Sequence, residues 1–417
     1  MKAMQFRSQK MRSISFSIRE IDKIPPLVNS TRINIPQVVI EIIMIANPIS
    51  LSLKKIEISG YRSIAHTEVE LKKINILLGA NGVGKSNFIS TFDLLNAVIN
   101  RKLQLFFAEN GGANTQFYYG TKTTEKISVK VFFGDNTYSF SLGADTDDKP
   151  YFLEEETTFH IRSRYAEPYS ETLGTGHRET KLWDTTQKSL GKDKKTVSDY
   201  VLEYMVGWIV YHFHDTGKYS PLKSTSDIDE ISYLHPDGKN LAAYLYNIKA
   251  EFPQHYGKIC STIQLVYPEF EDFIFIIQEE ANTVRLRWKN KYSRHYTFSI
   301  SALSDGTLRF IALTTLLLQP NPPKFILIDE PELGLHPYAI DMLSDLIHIA
   351  SNKSQILLST QSVQLVNNFH LEDILIAENK DGQTTITRPQ NIEELNEWME
   401  DYTLGELWQN NLLGGNP

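Results

Sequence analysis

From Lys54 onward the hydrophobic pattern switches repeatedly between a two-residue and a helical period, which predicts an α/β protein. Lys55-Ile56-Glu57-Ile58 alternates as an edge strand does, and Ile74 to Leu78 is a mostly apolar strand ending at Gly79. Phe88, Ile89, Phe92, Leu95 and Ile99 recur at helical spacing within Lys85–Ile99. Ile127, Val129, Val131 and Phe133 alternate into a Gly134-Asp135-Asn136 turn, and Tyr138, Phe140 and Leu142 alternate out of it, a β-hairpin pattern. Residues 145 to 195 are polar and predict loops or a mobile insertion. Helical patterns return at Tyr200–Trp208 and Leu241–Ile248, and short strands at Phe273–Ile300. The last third alternates helix and strand through Leu308–Leu318, Phe325–Ile328, Ala339–Ala350, Ile356–Leu358 and Ile374–Ala377, as a parallel sheet flanked by helices requires.

The expected organisation is an extension at residues 1–50, a first lobe at 51–145, a middle insertion or helical lobe at 146–300 and a second lobe at 301–417. The extension is mixed in charge and punctuated by Pro25-Pro26, and Met44 just before the first clear strand marks an alternative start. The run Val38 to Leu53 is broken by Glu41, Asn47 and Pro48 and is short of the roughly 20 residues a membrane span needs. Charges at Arg7, Lys10, Arg12, Arg19 and Glu20 stand where a signal peptide needs an apolar core. A single cysteine, Cys260, excludes an internal disulfide framework, so a cytoplasmic location with no membrane partner is expected. With a net charge of −8 no global field attracts nucleic acid, and any DNA contact needs a local basic patch.

Three segments carry chemistry. Gly79-Ala80-Asn81-Gly82-Val83-Gly84-Lys85-Ser86 matches G-x-x-x-x-G-K-[ST] between a strand and a helix, and with Asn87 forms the expected phosphate cradle. Its backbone N–H groups can turn around phosphates, Lys85 can neutralise the β- and γ-phosphates of ATP, and Ser86 can ligate Mg²⁺. Phe325–Glu330 delivers two carboxylates to a strand end: Asp329 suits Mg²⁺, and Glu330 suits polarising an attacking water. Leu303-Ser304-Asp305-Gly306-Thr307 precedes a helix, where Ser304 and Gly306 can bind another anion. One chain needs no second γ-phosphate site for one ATP, so this segment is expected to serve a second copy rather than act only as a helix cap.

The order of these motifs, with Asp329-Glu330-Pro331-Glu332-Leu333-Gly334-Leu335-His336-Pro337, resembles the ABC-type ATPases related to RecF and the structural-maintenance-of-chromosomes proteins. Ile56–Ile64 and Leu404-Gly405-Glu406-Leu407-Trp408 are similar to a bacterial family of stand-alone AAA family ATPases. The resemblance covers Leu53 to the C-terminus. It implies a P-loop ABC-ATPase-like mixed sheet flanked by helices, with an antiparallel β subdomain and a helical or irregular middle lobe. It places Leu303–Thr307 at the ABC signature and Glu332–Pro337 in a loop facing a dimer partner. Gln361 then falls where ABC enzymes carry a switch histidine; an amide can contact a γ-phosphate but cannot become cationic, so slow hydrolysis is expected. Of the two glutamines that fit the metal-facing lobe-one position, Gln104 is preferred over Gln116.

Two further groups stand apart. His212-Phe213-His214-Asp215 puts two imidazoles on one face with no further ligand evident, against an apolar neighbourhood that suits a structural strand. Arg285, Arg287, Lys289 and Lys291 alternate opposite Val284, Leu286 and Trp288, a stripe that fits either DNA phosphates or a solvated strand face. The expected function is ATP hydrolysis through ATP-dependent head-to-tail dimerisation in DNA maintenance, repair or anti-phage defence. The alternative is a slow ATP-gated module acting on a separate effector protein. No N-K-x-D guanine reader and no nuclease motif is found, and nothing suits a transporter's membrane partner.

Overall fold

The computed structural model describes residues 52–161, 167–189, 196–293 and 295–415. The extension at residues 1–50 lies outside the described residues. The described residues open with β1 (Leu53–Tyr61) and β2 (Ile64–Glu70), then β3 (Ile74–Leu78) and α1 (Lys85–Ile99). It continues with β4 (Ile127–Phe133), β5 (Asn136–Ala144), β6 (Pro150–Phe159), β7 (Tyr169–Gly174), β8 (Trp208–Tyr211) and β9 (Ser226–Asp227). Then come α2 (Leu241–Glu251), α3 (Pro253–Val266), β10 (Phe270–Gln278), β11 (Thr283–Asn290) and β12 (Thr297–Ser299). The last third holds α4 (Asp305–Leu318), β13 (Phe325–Asp329), α5 (Pro337–Ala350), β14 (Gln355–Ser359), β15 (Ile374–Lys380) and β16 (Gln383–Thr387).

The central sheet runs β16-β15-β3-β14-β13-β8, parallel except where β16 returns antiparallel along β15. Both faces are covered, so the strands read as continuous apolar runs rather than alternating ones. Ile326, Ile328, Ile356 and Leu358 enter one core with α2, α3, α4 and α5. Phe325, Leu327, Leu357 and Leu375 enter the other, against α1 and the antiparallel sheet β2-β1-β4-β5-β6-β7. Phe92 of α1 stacks on Phe325 at 5.3 Å and packs near Trp208, joining the two layers.

Three expectations change. β1 is no edge strand: it lies between β2 and β4, and the polar half of its alternation faces outward on a paired strand. The polar stretch after residue 145 is not all loop, because β6 and β7 extend the first antiparallel sheet well past that boundary. Its buried Glu155 accepts from Tyr138 Oη (2.7 Å) and the Lys181 backbone N–H (3.0 Å) and pairs with His177 (2.8 Å), so polar bonds replace the apolar alternation expected of a strand. Within the expected middle lobe, Trp208–Tyr211 is a strand of the central sheet, paired in parallel with β13.

Arg285, Arg287 and Lys289 of the basic stripe lie on one face of β11, with Val284, Leu286 and Trp288 buried behind them, while Lys291 falls in the turn past its end. Arg287 is spent on Thr297, and Lys289 pairs with Glu271 at 2.8 Å. Among the described residues no helix is long and apolar enough to cross a membrane.

Candidate functional site

The strand order decides which side chains meet. β14 lies between β3 and β13, so three neighbouring parallel strands release the P-loop, Thr360–Gln361 and Asp329–Glu330 at one sheet edge. Ligands of parallel α/β sheets bind beyond such carboxyl ends.

The P-loop is pinned from behind. A Cβ on Gly79 would come within 2.6 Å of the Ala377 carbonyl, and one on Gly84 would strike Thr384, whose hydroxyl donates to the Val83 carbonyl at 2.8 Å. Gly84 also has φ +104°, a region that favours glycine. Asn87 does not face the cradle: its amide donates to Ser63 Oγ at 2.6 Å, bracing the first turn of α1. The C-terminal segment adds a further brace, with the Ala80 N–H donating to the Gly415 carbonyl at 3.1 Å. In front, Asn81, Gly82 and Ser86 are exposed. The N-terminus of α1 has no side-chain cap and no acidic residue in its first turn. An uncapped helix start beside a buried lysine is chemistry that fits a polyphosphate.

Lys85 is buried and donates to the carbonyls of Gly79 (2.5 Å) and Ala80 (3.0 Å). Burial draws its ammonium below the ordinary lysine range, opposed by the negative charges of Glu330, Asp329 and Glu332. One oxygen of Asp329 accepts from Ser359 Oγ, and its other lies 3.8 Å from His214 Nε2. Glu330 has φ +40°, a conformation costing of order 1–3 kcal/mol for a non-glycine residue. Its N–H is held by the Ser359 carbonyl at 3.1 Å, and its carboxylate accepts from the Gln361 amide. Glu332 does not simply face outward from its loop: its carboxylate accepts from Thr360 Oγ1 (2.5 Å) and the Gln361 N–H (3.1 Å), and burial raises its pKa.

Gln104 stands elsewhere. Its amide donates to the carbonyls of Pro150 and Arg178, both at 3.0 Å, beside the antiparallel sheet. Gln116 is buried and holds Arg62 Nε at 2.8 Å. The place beside Asp329 is taken by His212 and His214, which follow β8. Sequence reasoning saw the two imidazoles without their third neighbour, because Asp329 lies more than a hundred residues away and only the β8–β13 pairing brings them together.

The segment Leu303–Thr307 is complete as a helix start. Ser304 caps α4 by accepting from the Thr307 N–H at 3.1 Å, and its side chain is exposed. A Cβ on Gly306 would collide with the Gly334 carbonyl, so glycine here allows the start of α4 to pack against the Leu333–Leu335 turn. Arg309, which the sequence did not single out, is buried in α4 and donates to the carbonyls of Phe213 (3.0 Å) and His214 (2.9 Å). The start of α4 is thereby tied to the segment that follows β8.

Known proteins agree with this architecture. The fold is similar to a solved Smc head bound to the C-winged helix domain of ScpA, with TM-score 0.55 and 18% identity over 82% of this chain and 99% of that one. A second Smc head, with an extended coiled coil and bound to the C-terminal domain of ScpA, derives from Pyrococcus furiosus; it matches with TM-score 0.51 and 15% identity over 84% and 99%. The sequence is 22% identical over 393 residues to the Old nuclease of Escherichia phage P2, covering 83% of this chain and 63% of that relative's length. The family described as "AAA domain, putative AbiEii toxin, Type IV TA system" matches residues 74–367, from β3 through Gln361 and slightly beyond. The chain belongs to this family of AAA-domain ATPases and carries a fold of the SMC-head kind.

Proposed function

We propose that this protein binds ATP with a divalent cation and hydrolyses it slowly, in a head-to-tail dimer that closes on nucleotide. The carrying observation is the single sheet edge at which buried Lys85 faces Asp329, Glu330 and Glu332, beside an uncapped P-loop helix. In this reading Gly79–Ser86 and Lys85 hold the phosphates, while Ser86 and Asp329 hold the cation, which would screen the phosphate charge. Glu330 polarises the attacking water, and Gln361 senses the γ-phosphate. Ser304 and Gly306 of a second copy complete the site. ATP-driven closure would then be transmitted to a partner.

For the partner, a DNA maintenance, repair or anti-phage defence role draws on the SMC-head fold, the toxin–antitoxin family description and the phage relative's name. A second reading, an ATP-gated module controlling a separate effector, is favoured by one observation: the Gln361 amide occupies the Glu330 carboxylate, as suits a base held back from fast turnover.

The test uses Glu330→Gln, which keeps the side-chain shape and removes the base. Its mass in solution should double with saturating ATP and stay monomeric with ADP. A monomer under ATP defeats the head-to-tail reading. ATP turnover of the unmodified protein stimulated by DNA supports the first role, and turnover indifferent to DNA supports the effector reading.

A further inference from the structure

We propose that His212 and His214 complete the cation site at Asp329, making it a two-histidine, one-carboxylate centre that takes a first-row transition dication in preference to Mg²⁺. The inference rests on reading this sheet edge as the nucleotide site and names the chemistry of its cation.

The placement follows from pairing. Tyr211 of β8 is in register with Ile328 of β13, so the residues after Tyr211 emerge beside Asp329. One potential ligand atom from each of His212, His214 and Asp329 lies within 4.8 Å of the others. Atoms sharing one ion, with bonds of about 2.1 Å, sit ~3 Å apart, so small side-chain rotations close the set. The Asp329 oxygen not bonded to Ser359 is the one facing His214.

The supports are built in. Arg309 fixes the backbone on both sides of His214 through the Phe213 and His214 carbonyls. The His212 N–H donates to the Pro236 carbonyl at 3.0 Å, and its ring faces Asp93 of α1 at 3.9 Å. A carboxylate behind a histidine orients the ring and raises its basicity as a ligand.

Chemistry then sets the preference. Mg²⁺ demands oxygen ligands and retains its water, whereas imidazole nitrogen suits Fe²⁺, Ni²⁺, Cu²⁺ and Zn²⁺, with Mn²⁺ the weakest binder of the first-row series and so the strictest probe. A lobe-one glutamine would offer an amide oxygen; this chain offers two nitrogens, with Gln104 engaged elsewhere.

The experiment measures Mn²⁺ binding by electron paramagnetic resonance, with and without ATP, in the unmodified protein and in His214→Gln and His212→Gln. Nucleotide affinity and circular dichroism serve as controls. In the unmodified protein, Mn²⁺ should compete with excess Mg²⁺ and show spin-echo modulation from imidazole nitrogen. His214→Gln should weaken Mn²⁺ binding by tenfold or more, since losing even a partner behind a metal ligand costs about 10- to 100-fold, with Mg²⁺ affinity changed far less. His212→Gln should act in the same direction, so one poorly folded variant does not decide the outcome. Unchanged Mn²⁺ affinity in folded variants, or no nitrogen modulation, overturns the proposal. Failure of the unmodified protein to bind ATP would instead defeat the ATPase reading, and the nucleotide-free Mn²⁺ comparison would decide the metal proposal by the same criteria.

Discussion

At the ends of β3, β13 and β14 the polar groups face one another, whereas at Leu303–Thr307 they face outward. Lys85, Asp329, Glu330, Glu332 and Gln361 form one connected set within a single chain. Ser304 is satisfied by its own helix, yet it leaves an exposed hydroxyl at an α4 start backed by the Gly334 turn. In the proposed function the first region receives the nucleotide and the second meets another copy. Substitutions should separate the two, because damage to the first reaches nucleotide affinity while damage to the second reaches assembly.

The largest effect expected in the second region comes from Gly306→Val. Its side chain would drive into the Gly334 carbonyl, and overpacking of this kind costs about 1–3 kcal/mol. The urea midpoint should fall and ATP-dependent doubling should vanish together. If the midpoint holds and the dimer still forms, the close packing of α4 on the Leu333–Leu335 turn is not needed for assembly.

Ser304→Asp cuts more finely. Aspartate caps helices about as well as serine, so stability should change by less than about 0.5 kcal/mol. The added negative charge would nonetheless meet the γ-phosphate of a partner's nucleotide. ATP should still bind each monomer with near-normal affinity, and mass doubling should be lost. A variant that dimerises normally would reduce Ser304 to a helix cap.

The same contrast explains what could be read from the residues. Gly79–Ser86, Asp329–Glu330 and the helix Lys85–Ile99 are local patterns, in which strand, loop and helix follow directly along the chain, and each lies where its pattern predicts. The strands β6 and β7 escaped because Glu154-Glu155-Glu156-Thr157-Thr158 has no apolar alternation, and Glu155 is buried by bonds to Tyr138 and Lys181 that lie well away in sequence. Likewise His214 meets Asp329, and Arg309 meets Phe213, only through the order of strands in the sheet. Local chemistry was legible. Pairings across the fold were not, and those pairings place Gln104 away from the edge and the two histidines on it.

Gln361 lies at the seam of the comparison, and its effect should be the smallest. Its amide donates to Glu330 while its N–H donates to Glu332, so it links Glu330 to the turn that backs Gly306. If the amide moves to the γ-phosphate when ATP binds, Gln361→Ala removes a bond that ADP never makes. A hydrogen bond to a charged acceptor contributes about 1.5–3 kcal/mol, so ATP-driven dimerisation should weaken by about 10- to 150-fold without being abolished. ADP affinity should stay within about twofold, since no β-phosphate contact is lost. Titrations of both nucleotides against the Glu330→Gln background check this. Equal losses for ATP and ADP would make Gln361 a prop for the loop around Glu332. A loss confined to ATP would make it the group through which one chain's filled P-loop is reported to the surface proposed to meet a second copy.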